Sequence, residues 1–441
     1  MRSIAVFGST GSVGTQTLDV VRANADRFSV FALITYCGIE KLIAQAKEFK
    51  PKYVAIICSK QKANAETGGL SVESRLPKGT KLLVGDSAVE YLAAHKEAEI
   101  LMVAMLGAVN SLTCILAGIR ASDSMVRDST AGVGSAGNVS SGFGKIIAVA
   151  SKEAYVCGGD LINEALSKSK TAKIIPVDSE HSAVYQLLKG QSTNGQFYSG
   201  QFYSGQSHNG QGVKINGVKK ITLTASGGSM YGKPLAQLEN ACVESVLKHP
   251  KWNMGAKITV DSATLVNKGL EIIEASYIFG VSEMDVVKHK KIDFVIHRQS
   301  LVHGIVDFVD GTTFFNISAP DMRIPINYAL GYPSRLSKSA IGANIPNVSL
   351  EQLNSMTFET NDDNLLKGVA LCLRALEYGL TAHLNFANDI LVERFLKKQI
   401  SFLDIYKGLE NVLEHFAKKP KIKADSLDKI VSINSIITEY L

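Results

Sequence analysis

The apolar positions change period along the chain. In the first third, short runs that are apolar at nearly every position alternate with stretches of helical spacing. Residues 4–7, 30–34, 53–57, 82–84, 100–105 and 146–150 predict strands, with helices such as 15–25 and 39–48 between them. Such alternation implies βαβ units and a parallel sheet, and a run like 100–105 implies strands covered on both faces. The middle third predicts strands at 174–177, 221–225, 258–260, 294–297, 301–308 and 313–317, a hairpin turn at Asp310-Gly311 and a helix over 265–279. That is an α+β pattern with a mixed or antiparallel sheet. After Pro333 helical spacing dominates, at 364–378, 386–397, 402–416 and 427–441. The expected fold is α/β: a parallel-sheet domain over 1–155, an α+β domain over 156–330, a linker over 331–355 and a small helical domain over 356–441.

Two stretches interrupt this plan. Residues 128–144 are rich in Gly and Ser, and 191–212 repeat QFYSG within polar sequence. Neither can bury much, so both read as surface loops.

Composition narrows the class. Hydrophobic residues are 46% and charged residues 20%, which excludes wholesale disorder. A net charge of +6 over 441 residues is too diffuse for nucleic acid but suits anionic small molecules. No two of the six cysteines lie within five residues of each other, so a CxxC zinc site is excluded and buried free thiols in a reducing cytoplasm are expected. No apolar run reaches the roughly 18 residues of a membrane span. Met1-Arg2-Ser3 leads straight into a strand, leaving no room for a signal or transit peptide.

The chemistry begins at Gly8-Ser9-Thr10-Gly11-Ser12-Val13-Gly14, between the first strand and the first helix. Glycines let a backbone approach a pyrophosphate, and amides at a helix start favour the anion. The first domain is therefore expected to be Rossmann-like and to bind a nucleotide. The second strand ends Ile34-Thr35-Tyr36-Cys37-Gly38, without the carboxylate that grips the ribose of NAD. This leans towards NADP, with Lys41 or Arg22 as possible cations.

Further on, Val177-Asp178-Ser179-Glu180-His181 ends a predicted strand, where i and i+2 face one way. Asp178 and Glu180 would then present two carboxylates to a divalent cation, or form a solvated strand end. Asn267 and Glu271 stand i,i+4, and Lys268 and Glu271 i,i+3, so all three share a helix face near Ser262 and Thr264. Lys268–Glu271 alone could be an ordinary exposed pair, although Gly269 inside the helix argues against pure helix design. Ser226-Gly227-Gly228 after a strand offers phosphate donors. His249, Pro250 and the only tryptophan, Trp252, lie where core periodicity is poor, so Trp252 is either core or part of a lid. His297 and His303 read as structural.

Taken in order, GSTGSVG at Gly8, ASKEAYV at Ala150, PVDSEHSAVYQ at Pro176, TASGG at Thr224, HPKWNMGAKITVDSATLVNKGLEIIEA at His249 and PDMRIPI at Pro320 resemble the 1-deoxy-D-xylulose 5-phosphate reductoisomerase family. The resemblance implies a homodimeric enzyme that uses NADPH and Mg²⁺ or Mn²⁺. It would convert 1-deoxy-D-xylulose 5-phosphate to 2-C-methyl-D-erythritol 4-phosphate on the non-mevalonate isoprenoid route, rearranging the skeleton to a branched aldehyde that hydride then reduces. Carried over by motif, the metal ligands are Asp178, Glu180 and Glu271, with Lys152 beside them as a catalytic group. Substrate would meet Lys152, Ser179, Glu180, Ser226, His249, Ser262, Asn267, Lys268 and Glu271, under a flap that carries Trp252. Cofactor would meet Gly8, Thr10, Gly11, Ser12, Val13, Ser151, Glu153 and Gly255. The chain departs from the family at Ser151 (usually Asn), at Tyr36-Cys37-Gly38 (usually Gly-Lys-Asn) and at Arg298 (usually Pro), which opens the question of NADPH against NADH. Two other readings stay in view: a dehydrogenase acting on another sugar phosphate, and a non-catalytic NADP-binding protein.

Overall fold

The structure, a computed structural model, describes residues 1–59, 71–130, 144–189, 217–249, 251–252, 254–337, 341, 345–359 and 363–441. The repeat at 191–212 lies outside these residues. So does the Gly/Ser stretch, apart from residues 128–130, which end a helix, and Gly144, which leads into a strand.

Helices of eight residues or more and the strands follow in chain order. They begin with β1 (Arg2–Phe7), α1 (Ser12–Ala23), β2 (Phe28–Thr35), α2 (Ile39–Phe49), β3 (Tyr53–Ile56), β4 (Lys81–Val84), α3 (Ser87–Ala94), β5 (Ile100–Val103), α4 (Ala108–Thr130), β6 (Ile146–Val149), α5 (Lys152–Lys168) and β7 (Lys173–Pro176). Next come α6 (Ser179–Lys189), β8 (Val218–Ala225), α7 (Ala256–Ala263), α8 (Val266–Ile278), β9 (Ile292–Ile296), β10 (Val302–Phe308), β11 (Thr313–Ile317) and α9 (Arg323–Gly331). The chain closes with α10 (Asp363–Tyr378), α11 (Thr381–Leu396), α12 (Phe402–Ala417) and α13 (Leu427–Tyr440).

Two compact units interleave along the chain, whereas the sequence reading cuts it once each at 155, 330 and 355. The first unit comprises Met1–Ser151, Ile162–Asp178 and Asp321–Ile345. It holds a seven-stranded sheet in the order β4-β3-β2-β1-β5-β6-β7, parallel throughout. Every residue of β5 and of β6 is buried, as continuous apolar strands require. The strand order reverses between β1 and β5, so the ligand crevice of this sheet type opens beyond the ends of those two strands. The run 174–177, expected in the second sheet, is β7 and pairs with β6, because a crossover through α5 returns it to the parallel sheet.

The second unit comprises Lys152–Leu161, Ser179–Pro320 and Pro346–Leu441. Its four-stranded sheet runs β11-β10-β8-β9; β10 is antiparallel to β8 and β11, while β8 and β9 are parallel. The hairpin at Asp310-Gly311 joins β10 to β11 as expected. The predicted strand at 258–260 is instead the middle of α7. Ile258 and Val260 have strand-forming side chains, but Thr259, Val260, Asp261 and Ala263 are buried together on a helix, so tertiary packing overrides local preference.

α8 packs on α10 through Gly269. A Cβ there would meet Cys372 Sγ at 2.5 Å, so this glycine serves close helix packing rather than chemistry. Of the six cysteines, all free, Cys58, Cys114, Cys157 and Cys372 are buried as expected, but Cys37 and Cys242 are exposed.

Candidate active site

The two carboxylates expected on one face of a strand reach each other differently. β7 ends at Pro176 and α6 begins at Ser179, so Glu180 sits in a helical first turn, where the helix dipole favours a negative charge. The i,i+2 argument therefore fails while the proximity holds: one oxygen each from Asp178, Glu180 and Glu271 lie within 4.8 Å of one another. Glu271 comes from α8, whose direction is set by Leu265, a non-glycine residue at φ 55 just before it. A left-handed leucine costs about 1–2 kcal/mol, strain that the buried packing of Leu265 holds in place.

α8 presents Asn267, Lys268 and Glu271 on one face, as the spacing predicts, and far from being exposed, Lys268 and Glu271 are buried. Lys268 Nζ donates to Glu180 Oε1 at 2.6 Å and also to Glu271 Oε2. Lys152 Nζ, at the start of α5, donates to Glu271 Oε1 at 3.0 Å and to Asn267 Oδ1 at 2.8 Å. The Asn267 amide also donates to Glu271, and Ser179 Oγ donates to Glu180. Burial works against the charge on Lys268, but Glu180 and Glu271 outweigh it and raise its pKa. Three carboxylates thus face two ammonium groups. The remaining negative charge and a donor set of oxygens alone fit a hard divalent cation such as Mg²⁺ or Mn²⁺.

A second trio, Asp178, His181 and Glu274, meets the same distance limit. His181 Nε2 donates to the Glu271 carbonyl at 2.9 Å and lies 3.5 Å from Glu274, bracing α6 against α8.

Ser226 follows β8 at the head of a glycine turn, with Gly227 at φ 86 and Gly228 at φ 71. A Cβ on Gly228 would lie 2.5 Å from the Ser262 carbonyl, so the turn sits directly on α7 beside Ser262. His249 Nδ1 accepts the Trp252 amide at 2.8 Å. The ring proton is therefore on Nε2, which donates to Ser226 Oγ at 3.0 Å. Burial lowers the His249 pKa to about 4, so this imidazole is neutral at physiological pH. Because Ser226 Oγ accepts from His249, its own proton is available to an incoming oxyanion. Trp252 is half-buried, edge-on to His303 at 6.4 Å between ring centroids. His303 Nε2 donates to the Ser318 carbonyl at 3.2 Å, and His297 Nδ1 to the Thr357 carbonyl at 2.8 Å, as structural histidines do. Pro250 and Asn253 of the expected flap lie outside the described residues.

In the first unit, Gly8 takes φ 90, and a Cβ there would lie 2.3 Å from the Ala104 carbonyl beyond β5. The turn is thus pressed against the switch point. A Cβ on Gly14 would lie 2.2 Å from Gly8 O, so α1 starts on top of the turn. Gly11 is its N-cap, and the amides of Ser12 and Val13 open the helix without intrahelical acceptors. Such a cradle fits a dinucleotide pyrophosphate. Thr10 Oγ1 lies 2.5 Å from Thr35 Oγ1 and donates to Cys37 O at 3.0 Å, tying the turn to the end of β2. Ser151, buried, is the N-cap of α5. Glu153 and Gly255 belong to the second unit. There Glu153 pairs with Lys257 at 3.3 Å, and Gly255 is the N-cap of α7.

Sequence reasoning missed Lys257. Its ammonium also lies 2.9 Å from Asp261 and 3.1 Å from Asp389, and Asn388 donates to Asp261 at 2.8 Å. This network fixes α5, α7 and α11 around the site. Its signal was the i,i+4 spacing of Lys257 and Asp261, which the strand assignment at 258–260 hid.

The chain matches family models described as 1-deoxy-D-xylulose 5-phosphate reductoisomerase over residues 4–126, its C-terminal domain over 174–279, and the DXP reductoisomerase C-terminal domain over 317–440. It is 35% identical to the 1-deoxy-D-xylulose 5-phosphate reductoisomerase of Lachnospira eligens, covering 100% of this chain and 99% of that one. It is 36% identical to that of Anaeromyxobacter dehalogenans, covering 95% and 92%. Among solved structures, a DOX-P reductoisomerase in complex with NADPH, fosmidomycin and magnesium shares 30% identity over 100% of this chain and 97% of that one, with a TM-score of 0.81. The Zymomonas mobilis enzyme in complex with NADPH shares 29% identity over 99% and 97%, with a TM-score of 0.75. On this full-length similarity, the chain belongs to the 1-deoxy-D-xylulose 5-phosphate reductoisomerase family.

Proposed function

We propose that this chain is the NADPH- and metal-dependent reductoisomerase that converts 1-deoxy-D-xylulose 5-phosphate to 2-C-methyl-D-erythritol 4-phosphate in isoprenoid biosynthesis. The observation that carries the reading is the Asp178, Glu180 and Glu271 trio, half-buried at the first two and buried at Glu271, with Lys152 and Lys268 bonded to it. Asp178, Glu180 and Glu271 would hold Mg²⁺ or Mn²⁺, which supplies Lewis acidity towards the substrate's carbonyl and neighbouring hydroxyl. The Gly8 turn would hold NADPH, whose nicotinamide would supply the hydride.

The chain's own residues do the rest. Ser226, through its available proton, and His249, by fixing that proton's direction, receive the substrate phosphate, with Ser262 alongside. Lys268 and Asn267 orient the substrate's polar groups beside the carboxylates, and Ser179 holds Glu180 in position. Lys152, whose ammonium hydrogen-bonds Glu271 and Asn267 beside the carboxylates, would give and take a proton at a substrate hydroxyl. Trp252 covers the bound substrate and excludes water. By motif, Ser151, Glu153 and Gly255 are assigned to the cofactor.

The reading includes a homodimer, supported by the edge strand β11, where Phe315 and Ile317 stay exposed at 44% and 40%. It also includes a cytoplasmic setting, consistent with six free thiols. The test follows loss of reduced-nicotinamide absorbance with 1-deoxy-D-xylulose 5-phosphate, with Mg²⁺ and then with chelator. Chelator-sensitive NADPH oxidation is expected. Folded protein that oxidises nothing with this substrate, but does with another sugar phosphate, overturns the reading.

A further inference from the structure

The second strand ends Thr35-Tyr36-Cys37-Gly38, without a carboxylate or a basic side chain. Something else must sense the 2′ position of the cofactor's ribose, which in this fold lies over the end of β2. Two basic residues were candidates from the sequence, and their surroundings separate them. Arg22 is committed elsewhere: its guanidinium binds both oxygens of Glu48, at 2.5 and 3.0 Å, and Asp19 at 2.7 Å. Lys41, exposed in the first turn of α2, donates to the Thr10 carbonyl at 2.9 Å. Thr10 is the residue that ties the phosphate turn to Thr35 and Cys37 at the end of β2. The Lys41 ammonium therefore stands where the pyrophosphate turn meets the end of β2. One of its three protons goes to Thr10 O, leaving two donors for a ligand. Glu40, the carboxylate next along α2, is held by both arms of Arg75, at 2.5 and 2.6 Å, and so does not claim Lys41.

From this juxtaposition we infer that Lys41 is the specificity-determining residue that selects a 2′-phosphorylated dinucleotide over its unphosphorylated counterpart. The inference rests on the reductoisomerase reading only for the claim that a nicotinamide dinucleotide occupies the Gly8 turn. A lysine acts here as a point charge on a phosphate dianion, and gains little from a 2′-hydroxyl.

The test is calorimetric binding of NADPH and of NADH to full-length wild type, Lys41→Ala, Lys41→Arg and Arg22→Ala, without substrate. Lys41→Ala is expected to weaken NADPH by about 10-fold and NADH by less than about 2-fold. Lys41→Arg keeps most of the preference, and Arg22→Ala leaves the NADPH-to-NADH ratio where it was. A ratio in Lys41→Ala equal to that of wild type overturns the inference and leaves the reductoisomerase reading standing. So does a ratio lost in Arg22→Ala instead. Wild type that binds neither nucleotide brings down both.

Discussion

Lys152 Nζ lies 3.0 Å from Glu271 Oε1, in an ion pair whose side chains are only 6% and 2% exposed. A pair so buried survives only where further partners compensate both charges, and here Asn267 and Lys268 do so. The carboxylate of Glu271 thus has two duties under the proposed reading: it pairs with two ammonium groups, and it would offer an oxygen to a cation beside Asp178 and Glu180.

Glu271→Gln separates these duties. The amide keeps one acceptor for Lys152 or Lys268 but removes the charge a divalent cation needs. Metal affinity should fall by at least about 10–100-fold and turnover should collapse at ordinary Mg²⁺, with the far-UV spectrum unchanged. Wild type should also unfold at a higher temperature with added Mg²⁺, by linkage, and Glu271→Gln should not. An Mg²⁺ dependence of activity identical in the two proteins would remove Glu271 from the metal site.

Ser226 and His249 act as one unit, because the tautomer fixed by the Trp252 amide aims Nε2–H at Ser226 Oγ. Ser226→Ala and His249→Ala should each raise KM for the phosphorylated substrate by about 10-fold, with kcat less affected. The double variant should cost less than the product of the two, since the first change already breaks the shared bond. The pKa of His249 is lowered to about 4 by burial, so its protonation does not shape KM from pH 6 upwards. Its effect on stability lies lower: the unfolded ring takes up its proton below its ordinary pKa and the folded ring only near 4, so stability falls as pH drops through that window. Fully additive losses would mean the two residues bind independently.

How much of this was legible depended on the range of the interaction. The parallel sheet, the Gly8 turn and the α8 face follow from local periodicity and i,i+3 or i,i+4 spacing, and all three appear where expected. Three features did not follow, because tertiary packing decided them. Ile258 and Val260 look like strand residues, yet they lie on a helix packed within the second unit, and misreading them concealed Lys257 and Asp261 as an i,i+4 pair. Asp178 and Glu180 were brought together by the wrong geometry, since nothing local announces that the chain turns helical at Ser179. Asn388 and Asp389 could not be tied to the site from their own neighbourhood, because the partners that link them to α7 lie more than a hundred positions away, as in the Asn388–Asp261 bond.

Gly269 is a case where the sequence invited a chemical explanation and the structure supplies a mechanical one. A methyl group there would fall 2.5 Å from both Cβ and Sγ of Cys372 and 3.3 Å from the Val369 backbone. Gly269→Ala should therefore destabilise by about 1–3 kcal/mol, despite the better helix propensity of alanine. Cys372→Gly in the same chain should recover part of that loss, measured by urea unfolding. KM for substrate in the folded fraction should stay within about 2-fold, as expected of a packing position. An alanine variant as stable as wild type would return Gly269 to the chemical explanation.

Lys145 gives a stability prediction far from the chemistry. It is fully buried, and its ammonium donates to the carbonyls of His95 at 2.7 Å and Ala98 at 2.6 Å, with no carboxylate bonded to it among the described residues. Burial lowers its pKa to about 8, with Cys114 and Glu99 pulling weakly the other way. The sign follows from which state holds the proton. Below pH 8 both folded and unfolded lysines are charged, and the cost of burying that charge is paid in full. Between about 8 and the ordinary lysine value of 10.5, the unfolded chain binds the proton and the folded chain does not, so stability rises with pH. Lys145→Met removes the titration while keeping the length of the side chain. Urea unfolding at pH 7.5 and 9.5 should therefore show wild type gaining about 1–2 kcal/mol relative to Lys145→Met over that interval. Parallel behaviour of the two proteins would mean that the two carbonyls hold the ammonium charged throughout, and that hydrogen bonding, rather than burial, governs this lysine.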